Sequence, residues 1–396
     1  MQAVVFHEIG DIRLEEVPEP GLEEKTDAIV RITTSAICGT DLHFIRGTVP
    51  GMRPGTILGH EAVGVIEALG EEVRNFSVGD RVVIPSTIAC GFCAYCRAGY
   101  YAQCDNANPN GKQGGTSFYG GPESTGSFHG LQAEKARIPF AAVNLFKLPH
   151  SVSDDQAILL SDIFPTGYFA AELANVEKGH SVAVFGCGPV GQFAIASAKL
   201  MGAGRVFAVD YVEDRLDTAR LQGAEVINFD RDDPVEKLRD LTGGIGPDCA
   251  IDAVGVDAEC PHDHGATGGF ERERDEVAPV RNPDGDLWRP GGAPSQSLRW
   301  ASEALAKAGT LAVVGVYPPA DTTFPIGLAM NRNLTLRMGN CNHRKYLPTL
   351  IELVRSGVID PTDFITQQKP INSVLDAYEQ FDTRQPGWLK ATVTPL

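Results

Sequence analysis

Ser181-Val-Ala-Val-Phe-Gly186-Cys-Gly188-Pro189-Val190-Gly191 decides how the rest of the chain is read. An apolar β-branched run, G-x-G-x-x-G, a helical apolar pattern to Met201 and a second run, Arg205-Val-Phe-Ala-Val-Asp210, follow one another as in a dinucleotide-binding βαβ unit. Gly186 permits the tight turn out of the strand, Gly188 lets backbone approach a pyrophosphate, and Gly191 lets the helix pack on the sheet. The helix N-terminus then faces the phosphate charge. Asp210 would accept from both ribose hydroxyls of an adenosine and repel a 2′-phosphate, which points to NAD over NADP.

At 396 residues the chain exceeds one compact core of usual size, so two domains are expected. No run approaches the roughly 18 apolar residues that a membrane span needs. The start, Met1-Gln-Ala-Val-Val-Phe-His-Glu, lacks a basic segment followed by an apolar one, which predicts a cytoplasmic protein without an export signal. A formal charge of −17 argues against nucleic acid or an anionic membrane as partner. Nine cysteines, four of them in one cluster, fit reduced thiols and an intracellular location better than a disulfide framework.

The first part reads as β-rich: Ala3–Phe6, Ala28–Thr34, Ala62–Leu69 and Arg81–Ile84 are short runs divided by Gly, Pro and Asp turns, suggesting a partly closed barrel. After Pro149, strand and helix patterns alternate. The strands fall at Val182–Phe185, Val206–Val209, Val226–Phe229, Asp248–Ala253 and Leu311–Val314, the helices at 189–201, 213–221, 234–241 and 297–307. That alternation predicts an α/β architecture with a doubly wound parallel sheet. The expected division is 1–153 with 322–396 for the β-rich domain and 154–321 for the dinucleotide domain. Segments beyond Val316, including Leu334–Arg337, are expected to return to the first domain. Between Val256 and Ser297 the texture is rich in Pro, Gly and charge where a short βα connection belongs, and it reads as an inserted loop, either a lid, an oligomer contact or a solvated excursion. His262, Asp263 and His264 within it form a candidate metal group.

Cys90, Cys93, Cys96 and Cys104 are spaced C-x₂-C-x₂-C-x₇-C. Four thiolates on one loop close a tetrahedral shell around Zn²⁺ and leave no place for substrate, which makes the site structural; an iron–sulfur cluster uses similar spacings. A second set is dispersed: Cys38, His60 and Asp162 supply the mixed ligands of an open zinc site, with Glu61 as an intermittent fourth. Such a zinc lowers the pKa of an alcohol. Thr40 is a hydroxyl placed to take the proton, and His43 to pass it outward.

These motifs together resemble the zinc-dependent medium-chain alcohol dehydrogenase superfamily over nearly the whole chain. Cys38-Gly-Thr40-Asp41-Leu-His43, Gly59-His60-Glu61-Ala-Val-Gly64, Val78-Gly79-Asp80-Arg-Val82, the four-cysteine loop and the glycine motif occur in the family's order. The resemblance implies a GroES-like catalytic domain and a Rossmann coenzyme domain, two Zn²⁺ per chain, and NAD. It places Cys38, His60 and Asp162 on the catalytic zinc with Glu61 adjacent, and Thr40 and His43 in the proton relay. It puts Thr166 beside the nicotinamide, Gly315 and Val316 at the carboxamide, Lys390 at the pyrophosphate, and Arg215 and Gly255 among the cofactor contacts. Ile158-Leu-Leu-Ser-Asp162-Ile-Phe-Pro-Thr166-Gly-Tyr168 is similar to the glutathione-independent formaldehyde dehydrogenase branch, in which the third ligand is Asp. The implied reaction is hydride transfer between NAD and a small-molecule alcohol/aldehyde pair, in a homo-oligomer (dimer or tetramer). Two other readings are an aldehyde dismutase that retains its NAD and a non-catalytic NAD(H)-binding protein.

Overall fold

The computed structural model describes residues 1–261, 269–280, 282, 287–319, 321 and 323–395. His262, Asp263 and His264 lie outside them. The chain forms two units, Met1–Pro165 with Asn282–Trp288 and Cys341–Leu396, and Thr166–Arg281 with Arg289–Asn340.

In the first unit the long strand Ala28–Ile37 is the organising element. It pairs antiparallel with Ala62–Leu69, Lys135–Ile138 and the terminal strand Ala391–Thr394. A smaller sheet joins Gln2–Glu8 to Asp11–Glu16 and Thr56–Ile57. Almost every residue of Ala28–Ile37 is buried, because neighbouring strands and the helix Gly39–Arg46 cover it.

The second unit holds a six-stranded sheet whose neighbours all run parallel. Numbered within the unit its strand order is 3-2-1-4-5-6, the doubly wound order that places a switch point beside the first strand, Ser181–Phe185. That strand is buried along Val182–Phe185, as a parallel strand covered by helices on both faces must be.

Two expectations are corrected. Leu334–Arg337 does not return to the first domain: Thr335–Met338 pairs in parallel register with Thr310–Val313 as the sixth strand. Its weak apolar pattern is that of an edge strand, with two of its four residues solvent-facing on the burial of the sheet and a third, Met338, 59% exposed. The division also differs from 154/322, since residues 154–165 group with the first unit and 323–340 with the second.

The insertion is neither a bare excursion nor a uniform loop. Among its described residues it contains a helix, Glu271–Val277, and Asn282, Leu287 and Trp288 group with the first unit. Trp288 is only 6% exposed and packs with Val4, Phe6, Phe44 and Tyr378 in one apolar cluster. Its backbone N–H donates to Asp382 Oδ2 at 2.8 Å, while Asp382 Oδ1 accepts from Arg46 Nε at 2.9 Å. Trp288 holds φ +62°, a backbone state that a bulky side chain adopts only when its surroundings impose it. Truncating a buried Trp costs about 3–5 kcal/mol. Trp288→Ala should therefore lower the urea midpoint of the first unit by a corresponding amount, and an unchanged midpoint would show the insertion to be unanchored.

Candidate active site and metal centres

Cys38 ends the strand Ala28–Ile37 and caps the helix Gly39–Arg46. Asp41, three residues into that turn, accepts the Cys38 N–H through Oδ2 at 3.0 Å and holds His60 Nδ1 through Oδ1 at 3.1 Å. One carboxylate thereby closes the helix start and aims the imidazole. Nε2 of His60 lies 3.3 Å from Asp162 Oδ2, which is 3.7 Å from Cys38 Sγ. Ligand atoms of Cys38, His60, Glu61 and Asp162 all fall within 4.8 Å of one another, and the four residues are buried. Glu61 is paired behind this group with the fully buried Lys390 at 2.5 Å, and Lys390 also donates to the Ile37 carbonyl at 2.9 Å.

The electrostatics suit a cation. Burial raises the Asp162 carboxyl, yet hydrogen bonds from His343 and His60 together outweigh it and hold the group well below the usual carboxylate range. Burial pushes Glu61 up to about 7 against the pull of Lys390. Burial also raises the Cys38 thiol, with the neighbouring His60 pulling the other way. His60 is disfavoured as a cation by burial, but the charges of Asp41 and Cys38 carry it well above its ordinary value. Nε2 of His60 is buried without a well-formed hydrogen bond, an expense a native core accepts where an ion takes the lone pair. A thiol, an imidazole and a carboxylate converging beside it are the donor set of an open zinc site, and these residues fit the metal.

Thr40 lies 3.9 Å from Cys38 Sγ on the same helix as His43, three residues on and therefore on the same face. His43 is buried rather than at the surface, with Nδ1 2.8 Å from Thr48 Oγ1. That hydroxyl also reaches the His43 carbonyl at 3.2 Å, so it can donate there while accepting from Nδ1–H.

The four-cysteine loop draws Cys90, Cys93, Cys96 and Cys104 into a second cluster of the same compactness. Backbone N–H groups point at its sulfurs: Cys90 to Cys104 at 3.2 Å, Cys96 to Cys93 at 3.4 Å and Asn106 to Cys104 at 3.4 Å. Burial opposes ionisation of Cys93, but N–H donors from Cys96 and Asp105 bring its thiol down to about 7. No disulfide occurs among the described cysteines. Four thiols solvated by amides and left unoxidised fit a closed tetrahedral zinc shell.

In the second unit, Gly186 has φ +87°, and a Cβ on Gly191 would stand 1.8 Å from the Gly186 carbonyl, so neither position accepts a side chain. A Cβ on Gly188 would meet nothing closer than Arg215 Nη1 at 3.8 Å, which leaves that backbone face open to a ligand. Gly188 caps the helix Pro189–Leu200, with Pro189 as its first residue and Val190 next. This open turn at a helix N-terminus fits a dinucleotide pyrophosphate. Asp210 is nearly buried and accepts the Cys187 N–H at 2.7 Å, which holds the acid against the glycine turn. Gly255 and Val316 form a parallel bridge past the ends of adjacent strands, where a Cβ on Gly315 would stand 2.2 Å from Gly255 N. Thr166 lies on the helix Ile163–Leu173.

Lys390, expected at the pyrophosphate, is fully buried, with its ammonium on Glu61 and the Ile37 carbonyl. Three residues with evident roles carried none in the sequence reading. Asp41 was legible as the fourth position of C-x-x-D at a helix start. Ser86 and His343, both hydrogen-bonded to Asp162, had no local signal, and His343 lies 181 residues away.

Known proteins agree with this geometry. Residues 24–150 match the alcohol dehydrogenase GroES-like domain and residues 189–261 the zinc-binding dehydrogenase family. The chain is 37% identical to the zinc-type alcohol dehydrogenase-like protein AdhB of Bacillus subtilis (strain 168), covering 100% of both. It is 32% identical to a glutathione-independent formaldehyde dehydrogenase of Pseudomonas aeruginosa (strain LESB58), over 85% of this chain and 80% of that one. Among solved structures, the alcohol dehydrogenase TADH from Thermus sp. ATN1 superposes with a TM-score of 0.82 at 33% identity, covering 100% of each chain. With its two domains, its buried Cys/His/Asp cluster and these full-length relatives, the chain belongs to the zinc-dependent medium-chain alcohol dehydrogenase superfamily and is an oxidoreductase of that type.

Proposed function

We propose that the protein transfers hydride between NAD and an alcohol/aldehyde pair, using two Zn²⁺ per chain, one catalytic and one structural. The observation that carries this reading is the buried convergence of Cys38, His60, Glu61 and Asp162. Zinc held there by Cys38, His60 and Asp162 would supply a Lewis acid that lowers the pKa of an alcohol, and NAD would supply the hydride acceptor. The remaining work belongs to the chain. Asp41 keeps Nδ1 of His60 occupied, so that Nε2 is the nitrogen presented to the metal. Thr40 offers a hydroxyl to take the substrate proton. Thr48 favours the His43 tautomer protonated at Nδ1, which makes Nε2 the nitrogen able to receive that proton next. Glu61, tied to Lys390, balances charge behind the ligand set. Cys90, Cys93, Cys96 and Cys104 would hold the second zinc.

Asp210 supports NAD over NADP. The carboxylate sits at the glycine turn, where a 2′-phosphate would bring a like charge against it. The chain's nine cysteines, none of them in a disulfide among the described residues, support a reducing, cytoplasmic setting. No helix among the described residues is long and apolar enough to cross a membrane. A homo-oligomeric state, dimer or tetramer, is supported by the edge strand Thr335–Met338 and by Ile326, Met330 and Met338, exposed by 73%, 72% and 59%.

Purified protein should reduce NAD⁺ with some member of a panel of primary and secondary alcohols and contain two zinc per chain by atomic absorption. Cys38→Ser and Asp162→Ala should each lose one zinc and at least about a hundredfold in kcat/KM; undiminished turnover in both removes the metal from the reaction. Asp210→Gly combined with Tyr211→Arg should move the NADP-to-NAD ratio of kcat/KM by about tenfold or more, about 1.4 kcal/mol. Unchanged selectivity would show that the ribose contact lies elsewhere. Light scattering should report more than one chain per particle, falling toward one in Met330→Glu/Met338→Glu.

A further inference from the structure

Asp162 reaches its neighbours through two oxygens with different company. Oδ1 takes a hydrogen bond from Ser86 Oγ at 3.1 Å and lies 2.7 Å from His343 Nε2. Oδ2 faces Cys38 Sγ and His60 Nε2. His343 is 2% exposed, and its other ring nitrogen is 3.1 Å from Thr87 Oγ1. A Thr87 hydroxyl donating to Nδ1 leaves the proton of a neutral imidazole on Nε2, where it points at Asp162. Consecutive residues of one chain segment therefore act in series: Ser86 binds the carboxylate directly, and Thr87 orients the imidazole that binds it.

The ring is held from its backbone as well. His343 is the first residue of the helix His343–Arg355. The residue before it, Asn342, accepts the Ala102 N–H at 2.9 Å through Oδ1, and the residue after it, Arg344, donates to the Val143 carbonyl. A buried histidine that only filled space would need partners, but not two donors converging on one oxygen of a metal ligand.

We propose that His343 is a positioning residue for the third metal ligand: together with Ser86 it occupies Oδ1 of Asp162, so that the carboxylate presents a single oxygen and the fourth place in the shell stays available to substrate. This rests on Cys38, His60 and Asp162 being metal ligands. A carboxylate released from Ser86 and His343 could turn both oxygens toward the ion and fill the position that a catalytic zinc keeps open. His60 and Asp162 thus have reciprocal supports, the imidazole held by the Asp41 carboxylate and the carboxylate held by the His343 imidazole.

The test uses the zinc-loaded protein and its cobalt-substituted form. In His343→Leu, one of the two zinc ions should be about 10–100-fold more weakly held against a competing chelator, the range typical for loss of a metal ligand's support, while the other is unchanged. The visible spectrum of Co²⁺ in the weakened site should lose intensity, as it does when a four-coordinate ion gains a fifth ligand. His343→Gln, whose amide N–H can stand near the position of Nε2, should restore affinity and spectrum; a merely structural histidine would show no such rescue. Thr87→Val, which keeps the imidazole but frees its rotation, should weaken the same ion by a smaller factor. Wild-type zinc affinity and an unaltered cobalt spectrum in His343→Leu overturn the proposal. If that variant does not fold, the same two results in Thr87→Val overturn it. Cys38→Ser separates the underlying reading: if it too keeps both zinc ions, the metal site itself is misassigned, whereas loss of one ion there alone leaves the site standing and removes only the role of His343.

Discussion

Cys38, Glu61 and Asp162, each able to carry negative charge, lie buried within a few ångströms of one another, and much of the first unit answers the cost of putting them there. Ions taken from water into a protein interior lose several kcal/mol of hydration each, so such a cluster persists only where every charge is met. Lys390 meets Glu61, Ser86 and His343 meet Asp162, and Asp41 fixes the imidazole between them. These partners arrive from the residue before the terminal strand, from the segment after Arg81–Ile84, from the start of a late helix and from the helix that follows the central strand. The seven-stranded sheet of the unit, which pairs the terminal strand directly with Ala28–Ile37, is what allows residues so far apart in sequence to converge.

The same constraint explains what could be read without coordinates. The glycine turn, the alternating strands and helices and the four-cysteine loop are local, because each depends on spacing within a few residues, and each stands at the expected positions. Cys38, His60 and Asp162 were legible by residue type and family order although they are dispersed. The pairing of Lys390 with Glu61 was not legible, because a buried lysine and a phosphate-binding lysine look alike in sequence. His343 left no trace, since nothing in Asn342-His343-Arg344 marks a contact with a carboxylate far upstream. The strand Thr335–Met338 was assigned to the other unit because edge strands need no continuous apolar run.

The insertion teaches a related lesson. Its polar composition suggested a solvated loop, yet Trp288 and Leu287 are its two large apolar residues between Val280 and Leu298 and both pack in the core cluster of the first unit. One or two anchors suffice to dock a polar segment, because the energy of burying an aromatic side chain is concentrated in that side chain. Average composition across such a stretch therefore underestimates how firmly it is held.

The hydrogen bond from Ala102 to Asn342 reaches from the cysteine lobe to the residue that precedes the helix of His343. A lobe whose four thiols face one another is easily regarded as an autonomous appendage. Here deletion would strip the Asn342 amide of its partner and unseat the first turn of the neighbouring helix. The lobe thus serves the fold through its contact with Asn342 as well as through its thiols, and its loss would demand a simultaneous replacement anchor.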